Sequence, residues 1–441
     1  MSITHHKMQV TADMYMCQRD YPLDYYQAEL IPYAESYLNL PDRKLATVIA
    51  WMTPYMRKAQ DYFGDSLLLL AHYYMGGDIV KLIETFGGYV GDSYQLALQA
   101  TKQPQKSVII ESAVHFMAES ISIMAHPQQT VYITNPRSGC TMEMLAKKFM
   151  VEPAFADLNA RYGADNILPI CYMNTSGYIK ALTGAQNGSV CTSSNVKRIF
   201  SWARAKNKKI LFIPDQHMGN TAAHWLGISA IAHWPGGTKG AQYSLNTQDA
   251  NTLAQFDRAE LILFDSECAV HTYFQPEMCD YWHTQGYTTI VHPECLTTVV
   301  LEAKQHGSTA FIWDYVINDR AGSKRYAIGT ENHMVENLRM HCLPLGIEVV
   351  NLADIPQQTK SQGCGCATMS RNDPPHLVGL LDLLRQGKPM PYNEVRAGDV
   401  VNEFTGQRQR LTTHDQQWIV INAKKALKRM IEITEEQSGS Y

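Results

Sequence analysis

The feature that most constrains the fold is an alternation that begins near Ser66. Short apolar runs end in polar, glycine or proline residues, and each run is followed by a stretch of helical length. A strand, a helix and a second strand in succession are the repeating unit of parallel α/β sheets. The predicted strands are residues 67–70, 108–110, 131–134, 167–172, 210–213, 261–264, 289–291, 310–313 and 347–350. The pattern predicts an α/β protein and leaves open one doubly wound sheet, a barrel or several small three-layer units.

The two ends of the chain do not follow this alternation. Residues 1–60 are predicted as a mostly helical leader that leads into a long helical pattern over residues 45–63. Residues 388–441 are predicted as a C-terminal extension with a helix at residues 418–435. The polar segments 236–257 and 357–372 are predicted to be loops.

Composition and charge narrow the class of protein. Hydrophobic residues make up 45% of the 441 residues and charged residues 18%, which supplies enough apolar surface for a folded core. A chain of this length predicts about two to four domains. The net charge is −4, and the densest basic cluster is the short segment 206–209. Neither nucleic acid nor an anionic membrane is therefore expected as the main partner.

The cellular compartment is inferred from the N-terminus and the cysteines. Residues 1–16 lack the long apolar stretch of a signal peptide, and the strongest apolar runs have only strand length. The ten cysteines are spread along the chain rather than arranged as a compact disulfide framework. We therefore expect a cytoplasmic protein whose cysteines are buried small side chains, metal ligands or catalytic thiolates.

Polar side chains cluster directly after the predicted strands. Ligands of open α/β sheets bind at the carboxyl ends of the strands, so these segments predict one shared site. A turn or a helix cap is the competing interpretation for each segment taken alone. The segments are Ala71-His72-Tyr73-Tyr74, Met173-Asn174-Thr175-Ser176, Cys191-Thr192-Ser193-Ser194-Asn195, Pro214-Asp215-Gln216-His217, Cys268-Ala269-Val270-His271 and His292-Pro293-Glu294-Cys295.

Three isolated cysteine segments are candidates for metal binding. Cys140, Cys268 and the Cys364-Gly365-Cys366 pair stand in glycine-rich or turn-like contexts, without the local spacing of a zinc knuckle. Three thiolates from separate units favour iron or zinc, and a three-cysteine 4Fe-4S cluster would leave one iron open as a Lewis acid. The competing interpretation is that each cysteine is a packing residue.

Taken together, these segments resemble quinolinate synthase, the iron–sulfur enzyme of de novo NAD biosynthesis. The resemblance covers residues from about 66 to 382 and includes motifs in the order of that family. Besides the strand-end segments, they are Gly91-Asp92-Ser93, Val114-His115-Phe116-Met117-Ala118-Glu119, Ser138-Gly139-Cys140, Gly307-Ser308-Thr309, Gly329-Thr330-Glu331 and Cys366-Ala367-Thr368-Met369.

The resemblance implies three similar three-layer α/β units with parallel sheets around a pseudo-threefold axis. A 4Fe-4S cluster at the centre would be held by Cys140, Cys268 and Cys366, with Cys364 as the neighbour of the last. The implied boundaries are a helical extension at 1–60, units at 61–148, 149–275 and 276–387, and a C-terminal extension at 388–441.

The implied reaction condenses iminoaspartate with dihydroxyacetone phosphate to quinolinate, phosphate and water, with the open iron as Lewis acid. By resemblance, Tyr172, Glu294 and His72 are catalytic. Substrate-binding roles are implied for His72, Ser93, Asn174, Ser193, His271, His292, Ser308 and Thr309.

Other interpretations remain open at this point. The protein could be a non-catalytic iron–sulfur sensor of redox or iron state, or a zinc protein, although neither needs acid/base and anion-binding groups around the metal. Ser93 and the pair Ser308-Thr309 could be helix caps, and Cys364 could form a disulfide with Cys366. The two extensions could cover an entrance, support a dimer or dock L-aspartate oxidase, the source of iminoaspartate.

Overall fold

The computed structural model describes residues 20–356, 365–402 and 408–436. Within these residues there are fifteen strands, numbered in chain order. They are β1 (Leu67–His72), β2 (Tyr89–Gly91), β3 (Val108–Ser112), β4 (Thr130–Ile133), β5 (Ile167–Tyr172), β6 (Ser189–Cys191), β7 (Lys209–Ile213), β8 (Ile231–Pro235), β9 (Leu261–Asp265), β10 (Thr288–Val291), β11 (Gln305–His306), β12 (Arg325–Gly329), β13 (Glu348–Asn351), β14 (Val400–Val401) and β15 (Arg408–Gln409).

The same residues contain eighteen α-helices. They are α1 (Ile31–Leu38), α2 (Leu45–Phe63), α3 (Gly77–Thr85), α4 (Ser93–Lys102), α5 (His115–Met124), α6 (Thr141–Leu145), α7 (Lys148–Tyr162), α8 (Gly177–Ala185), α9 (Val196–Arg204), α10 (Gln216–Leu226), α11 (Gly237–Gln242), α12 (Ala250–Arg258), α13 (Pro276–Thr284), α14 (Thr297–Glu302), α15 (Thr309–Ile317), α16 (Asn332–Cys342), α17 (Pro374–Arg385) and α18 (Thr413–Glu436). None of these described helices combines the length and hydropathy that a membrane crossing needs.

The strands β1 to β13 form three parallel sheets. The first has the order β2-β1-β3-β4 and the second the order β6-β5-β7-β9-β8, while the third contains β10, β11, β12 and β13. Helices separate the strands along the chain and flank each sheet. The predicted α/β class is confirmed, and several small parallel units replace the alternatives of one large sheet or a barrel. The pseudo-threefold axis with a cluster at its centre stays a prediction.

Eight of the nine predicted strands are confirmed, and one prediction is wrong. Residues 310–313 lie in α15, because the Ser308 side chain accepts a hydrogen bond from the Phe311 amide and starts a helix there. The loop predicted at 236–257 is also wrong, since it contains α11 and α12, the latter capped by Asp249. Seven strands were not predicted: β2, β6, β8, β11, β12, β14 and β15. Five of them, all except β8 and β12, have only two or three residues, and such short runs carry a weak periodic signal.

Contacts between residues divide the chain into two compact units. Unit 1 comprises the described residues of Met1–Gly139, Thr330–Arg396 and Val400–Gln409, and unit 2 those of Cys140–Gly329, Ala397–Asp399 and Arg410–Tyr441. The boundaries predicted at residues 60, 148, 275 and 387 stay a prediction.

Unit 1 is built on the first sheet. Leu70, Ile109 and Ile133 of this sheet pack with Leu96 of α4 and Ile121 of α5 in one buried apolar cluster. The leader is helical over its described part, as predicted, and α1 and α2 pack against α17. This packing places the N-terminal helices on the helix that follows the Cys366 segment.

In unit 2 the last helix, α18, packs on α8. A Cβ atom at Gly184 of α8 would overlap the backbone carbonyl of Asn422, so the two helices touch where glycine leaves room. The predicted C-terminal helix is confirmed and begins earlier than expected, because the Thr412 hydroxyl accepts the Asp415 amide and caps it. The Arg429 guanidinium also donates to the Gly188 carbonyl at 2.6 Å, which joins α18 to the start of β6.

Candidate active site

A histidine, a glutamate and a cysteine converge in unit 2. His271 and Cys268 share one turn, in which the His271 amide donates to the Cys268 carbonyl at 3.0 Å. Glu294 belongs to the segment that follows β10, at the carboxyl end of that strand. The Cys268 sulfur, a ring nitrogen of His271 and a carboxylate oxygen of Glu294 all lie within 4.8 Å of one another. A thiol, an imidazole and a carboxylate at this separation could hold a metal.

The imidazoles of His271 and His292 surround the Glu294 carboxylate. His271 Nδ1 lies 2.8 Å from Glu294 Oε2, and the two imidazole rings stack with their centroids 4.5 Å apart. The Glu294 amide donates to His292 Nδ1 at 3.3 Å, which orients that ring. All three side chains are buried, so water does not screen these interactions.

Tyr172, the last residue of β5, completes this group. Its hydroxyl is hydrogen-bonded to Glu294 and to Ser193. Burial, and after it the Glu294 carboxylate, raises the pKa of the Tyr172 hydroxyl well above its usual value. Burial also raises the pKa of Glu294, but the two histidines and Tyr172 outweigh it and lower that pKa to about 2. A neutral hydroxyl therefore lies beside an ionised carboxylate, which is an acid and base arrangement.

Asp215 is a second buried carboxyl close to this group. Its side chain caps α10 by accepting the Met218 amide at 2.7 Å. Burial, and then the negative charge of Glu294, raises the pKa of Asp215 well above its usual value. Its Oδ2 has no hydrogen-bond partner among the described residues. A helix cap was one of the interpretations for the segment that contains Asp215, and the structure has Asp215 as that cap.

Asn174 lies on a turn that a buried lysine holds. Lys180 of α8 is fully buried, and its ammonium donates to the carbonyls of Met173, at 2.9 Å, and of Thr175. These carbonyls flank Asn174, whose side-chain amide lies 3.7 Å from the sulfur of Met142. Met142 lies two residues after Cys140, the half-buried cysteine that precedes α6. Sequence reasoning missed Lys180, although a lysine among the apolar positions of a helix was a signal.

Ser193 and Ser308 border a common cavity of about 450 Å³ in unit 2. Ser308 caps α15, as one interpretation of the sequence had it, and Thr309 is the first residue of that helix. Lys197 also lines the cavity, as do Trp225 and His306, whose rings stack at 4.8 Å. The predicted hydroxyl donors Ser193 and Ser308 thus line one cavity, together with Lys197.

The remaining predicted residues belong to unit 1. His72 ends β1, and its Nδ1 accepts the Tyr74 amide at 3.2 Å. Ser93 is the first residue of α4, but the cap is Asp92, which forms a capping box with Gln95. The interpretation of Ser93 itself as the cap is therefore wrong, because the acidic residue before it accepts the free amide.

Cys366 is half-buried in unit 1 and is held by its backbone. Its amide donates to Glu331 Oε1 at 3.1 Å, and the same oxygen lies 2.8 Å from His333 Nδ1. The Cys366 sulfur lies 3.2 Å from the Thr368 hydroxyl. Burial raises the pKa of the Cys366 thiol. Sequence reasoning quoted Glu331 in a motif without a role, and its role here is to anchor this cysteine.

Within unit 2 the structure brings together Cys268, His271, His292, Glu294, Tyr172 and Ser193. Cys171, Cys191 and Cys295 are buried in or beside strands, whereas Cys140, Cys268 and Cys366 are the half-buried cysteines among the described residues. Cys17 and Cys364 lie outside the described residues, and so does the disulfide that Cys364 could form with Cys366.

Comparison with known proteins identifies similar chains. Residues 56–432 match the family model described as quinolinate synthetase A protein. The quinolinate synthase of Acidobacterium capsulatum is 34% identical over 408 residues, which cover 90% of this chain and 95% of the relative. The quinolinate synthase of Geobacillus kaustophilus is 34% identical over 381 residues, covering 86% and 92%. That of Corynebacterium glutamicum is 32% identical over 387 residues, covering 86% of each chain.

Proposed function

The chain belongs to the quinolinate synthase family of NAD-biosynthesis enzymes, and from this premise we propose its reaction. Iminoaspartate and dihydroxyacetone phosphate condense to quinolinate, with loss of one phosphate and two waters. The atoms and electrons of this reaction balance without an oxidant or a reductant. The chemistry therefore consists of proton transfers, loss of leaving groups and binding of anionic substrates.

The observation that carries the proposal is the close group formed by Cys268, His271 and Glu294. A thiol within 4.8 Å of an acid/base pair joins a metal ligand to proton-transfer residues. Structural zinc sites are closed by their four ligands and do not need such a pair. This arrangement favours catalysis over a purely structural metal site.

We propose that Cys140, Cys268 and Cys366 would hold a 4Fe-4S cluster. These three thiols are the half-buried ones, and thiolate is the ligand that iron–sulfur clusters take. The position of Cys268 beside His271 and Glu294 fits such a group. When bound, a cluster with one open iron supplies a Lewis acid that polarises oxygen.

Glu294 and Tyr172 are assigned the proton transfers. The Glu294 carboxylate is ionised at neutral pH because its pKa lies at about 2, so it can accept a proton. The Tyr172 hydroxyl is protonated at neutral pH because burial and the Glu294 charge raise its pKa, so the proton that it would donate is present. The adjacent His271 can exchange a proton with Glu294 across 2.8 Å. His72 is proposed as a further catalytic and substrate-orienting group.

The anionic groups of the substrates need donors. We assign this role to the residues that carry amide, imidazole or hydroxyl donors at strand ends and helix starts. The cavity beside Ser193 and Ser308 supports the assignment for those two hydroxyls. The proposed donors are His72, Ser93, Asn174, Ser193, His271, His292, Ser308 and Thr309. A partnership with L-aspartate oxidase stays a prediction.

The first test is anaerobic purification with quinolinate, iron and sulfide measured on the same sample. We expect about four irons per chain and quinolinate formation, with both lost in Cys268→Ala. Cys279→Ala is the matched control, because Cys279 is a buried thiol of α13 outside the site. Iron without any quinolinate would favour the sensor function, and zinc in place of iron would contradict the ligand assignment.

The acid/base assignment predicts the kinetics of two variants. Tyr172→Phe removes the donor, and Glu294→Gln removes the acceptor, so each should lower kcat about 10²- to 10³-fold. Tyr178→Phe is the control, because the Tyr178 hydroxyl donates to Glu152 at 2.6 Å in the same unit. Steady-state kinetics on cluster-loaded samples measures the effect. A kcat as high in Tyr172→Phe as in Tyr178→Phe would remove Tyr172 from the mechanism.

A further inference from the structure

The N-terminal segment Asp20–Leu38 (residues 20–38) makes buried contacts that the proposed function does not use. The family match begins at residue 56, so this segment precedes it. It is rich in tyrosine, and the rings of Tyr21 and Tyr25 stack at 4.1 Å. Tyr26 is buried. The hydroxyl of a buried tyrosine usually has a hydrogen-bond partner, which for Tyr26 identifies the residues that the segment holds.

Tyr26 joins this segment to the start of α17. Its hydroxyl donates to Asp373 Oδ2 at 2.6 Å, across 347 residues of sequence. The other oxygen of Asp373 lies 2.6 Å from His376 Nδ1, and it also accepts the His376 amide at 3.0 Å. The Tyr26 ring stacks on the His376 ring at 4.8 Å. These three buried side chains form one closed network in unit 1.

Tyr25 supports the residues just before Asp373. Its hydroxyl accepts a hydrogen bond from Asn135 Nδ2 at 3.3 Å, and the same amide donates to the Arg371 carbonyl at 2.6 Å. The Arg137 guanidinium stacks over the Tyr25 ring at 4.6 Å, while Arg371 donates to the Arg137 carbonyl at 2.5 Å. Residues 371–373 are thus fixed by the leader on one side and by residues 135–137 on the other.

The fixed residues lead directly to Cys366. The Ser370 amide and the Ser370 hydroxyl both donate to the Cys366 carbonyl at 3.0 Å, within a short 3-10 turn over Met369–Arg371. The Cys366 carbonyl is thus held by Ser370, and the Cys366 amide donates to Glu331. Hydrogen bonds connect Cys366 to Ser370, the backbone leads from Ser370 to Asp373, and a hydrogen bond connects Asp373 to Tyr26.

We propose that the leader, through the Tyr26–Asp373–His376 network, positions Cys366 for metal binding. Tyr26 and Asp373 are then positioning residues, since they act through the backbone of residues 366–373 rather than by touching a metal. The inference rests on the proposed role of Cys366 as a ligand. Removing the Tyr26 hydroxyl should make local unfolding of residues 366–373 more frequent. Asp373 keeps its bonds to His376, so α17 still begins at the same residue.

The chain offers a matched control for this test. The Tyr33 hydroxyl of the same segment donates to Asp382 Oδ2 at 2.6 Å, near the other end of α17. Tyr33→Phe and Tyr26→Phe thus each remove one tyrosine–aspartate bond between the leader and the same helix, partly buried for Tyr33 and buried for Tyr26. Only Tyr26 is adjacent to the segment that leads to Cys366.

The experiment uses the full chain in metal-free and iron-loaded forms. Alkylation of Cys366 by iodoacetamide in the metal-free protein is followed by peptide mass spectrometry, with hydrogen exchange of residues 365–373 on the same samples. Loss of one buried, charge-assisted hydrogen bond should raise the alkylation rate about tenfold in Tyr26→Phe, with little change in Tyr33→Phe. Iron transfer to a chelator from the loaded protein should be faster by a similar factor. Asp373→Asn should shift all three measurements in the same direction.

Two outcomes separate this inference from the proposed function. Equal alkylation, exchange and iron loss in Tyr26→Phe and Tyr33→Phe would overturn the positioning role, even if Cys366→Ala lost its iron. Faster alkylation in Tyr26→Phe, together with normal iron content in Cys366→Ala, would overturn the ligand assignment and with it this inference. Circular dichroism of each variant shows whether the helices are intact.

Discussion

At the residue scale, Glu111 is a buried carboxyl group whose removal from water is not offset by hydrogen bonds from the described residues. It lies in β3 and is completely buried, and neither carboxylate oxygen has a hydrogen-bond partner among the described residues. Burial raises the pKa of Glu111 well above its usual value. The folded state therefore holds a proton that the unfolded chain releases near the ordinary glutamate pKa.

This proton predicts a pH-dependent stability. The stability that comes from protonated Glu111 is fully present below the unfolded-state pKa. It is lost as the pH rises toward the raised folded-state pKa. The free energy of unfolding should fall by up to about 1.4 kcal/mol per pH unit in that window. Glu111→Gln should remove this slope, and Glu29→Gln, at an exposed position of unit 1, should keep it. Urea unfolding between pH 5 and pH 8 measures both, and an equal slope in all three proteins would contradict the prediction.

Lys180 is the residue that most directly controls the Asn174 turn. Lys180→Met keeps the apolar stem but removes the donor from the carbonyls of Met173 and Thr175, which stay buried. We expect a loss of about 1–3 kcal/mol in the free energy of unfolding because both carbonyls lose the ammonium donor, although the Met173 carbonyl keeps the Thr175 amide at 2.8 Å. If Asn174 binds a substrate carboxylate, KM for iminoaspartate should rise about tenfold or more, since its position shifts.

The control for Lys180 is Lys148→Met, at an exposed position of α7. Urea unfolding and steady-state kinetics separate the two effects. An unchanged KM in a folded Lys180→Met protein would show that the turn keeps Asn174 in place without the ammonium group.

At the element scale, α18 supports the turn that carries Ser193. Asn195 accepts the Thr192 amide at 2.7 Å through its side-chain oxygen, while its side-chain amide donates to Thr434 Oγ1 at 3.1 Å. Arg198 donates to the Thr434 carbonyl at 2.9 Å. The C-terminal helix thus braces a proposed substrate-binding segment. These contacts suggest a role that was not among the three considered for this extension, namely support of the site; those three stay predictions.

The close approach of α8 and α18 predicts a strong effect of one substitution. Gly184→Val would place side-chain atoms on the Asn422 backbone, and overpacking of this kind costs about 1–3 kcal/mol. Ala185→Val on the exposed face of α8 is the control and should change the free energy of unfolding little. Thermal unfolding measures both, and a difference of less than a few tenths of a kcal/mol would show that α18 can shift without loss.

At the scale of the whole molecule, most of the central strands of the parallel sheets could be predicted from the sequence, but most of their edge strands could not. The run 167–172 is apolar along its full length, so β5 is predicted residue for residue. Edge strands such as β2 and β11 have only two or three residues, so no periodic signal identifies them. Residues 310–313 show the opposite error, because a four-residue apolar run fits a strand and a helix equally well.

Those residues of the candidate site that come directly after strands could be predicted from the sequence. His271 and Glu294 lie in segments that were singled out because ligands of α/β sheets bind at the carboxyl ends of strands. The role of Tyr172 was implied only by the resemblance to quinolinate synthase. Lys180 was not found, since a lysine on a helix is ordinarily exposed. The bond between Tyr26 and Asp373 joins residues 347 positions apart, and no local pattern in the sequence can indicate such a pair.

Unit 1 consists of stretches that lie far apart in the sequence, so it cannot be completed until the last of them has been translated. Its first stretch ends at Gly139, but Asp373, which binds Tyr26, is made only after unit 2 has largely been translated. At about 5–20 residues per second, Tyr26 waits on the order of 20–70 s for Asp373, which follows it by 347 residues. During this interval Tyr26 and the apolar faces of α1 and α2 are without α17, so the nascent chain is exposed to chaperones and proteases before the Cys366 segment exists.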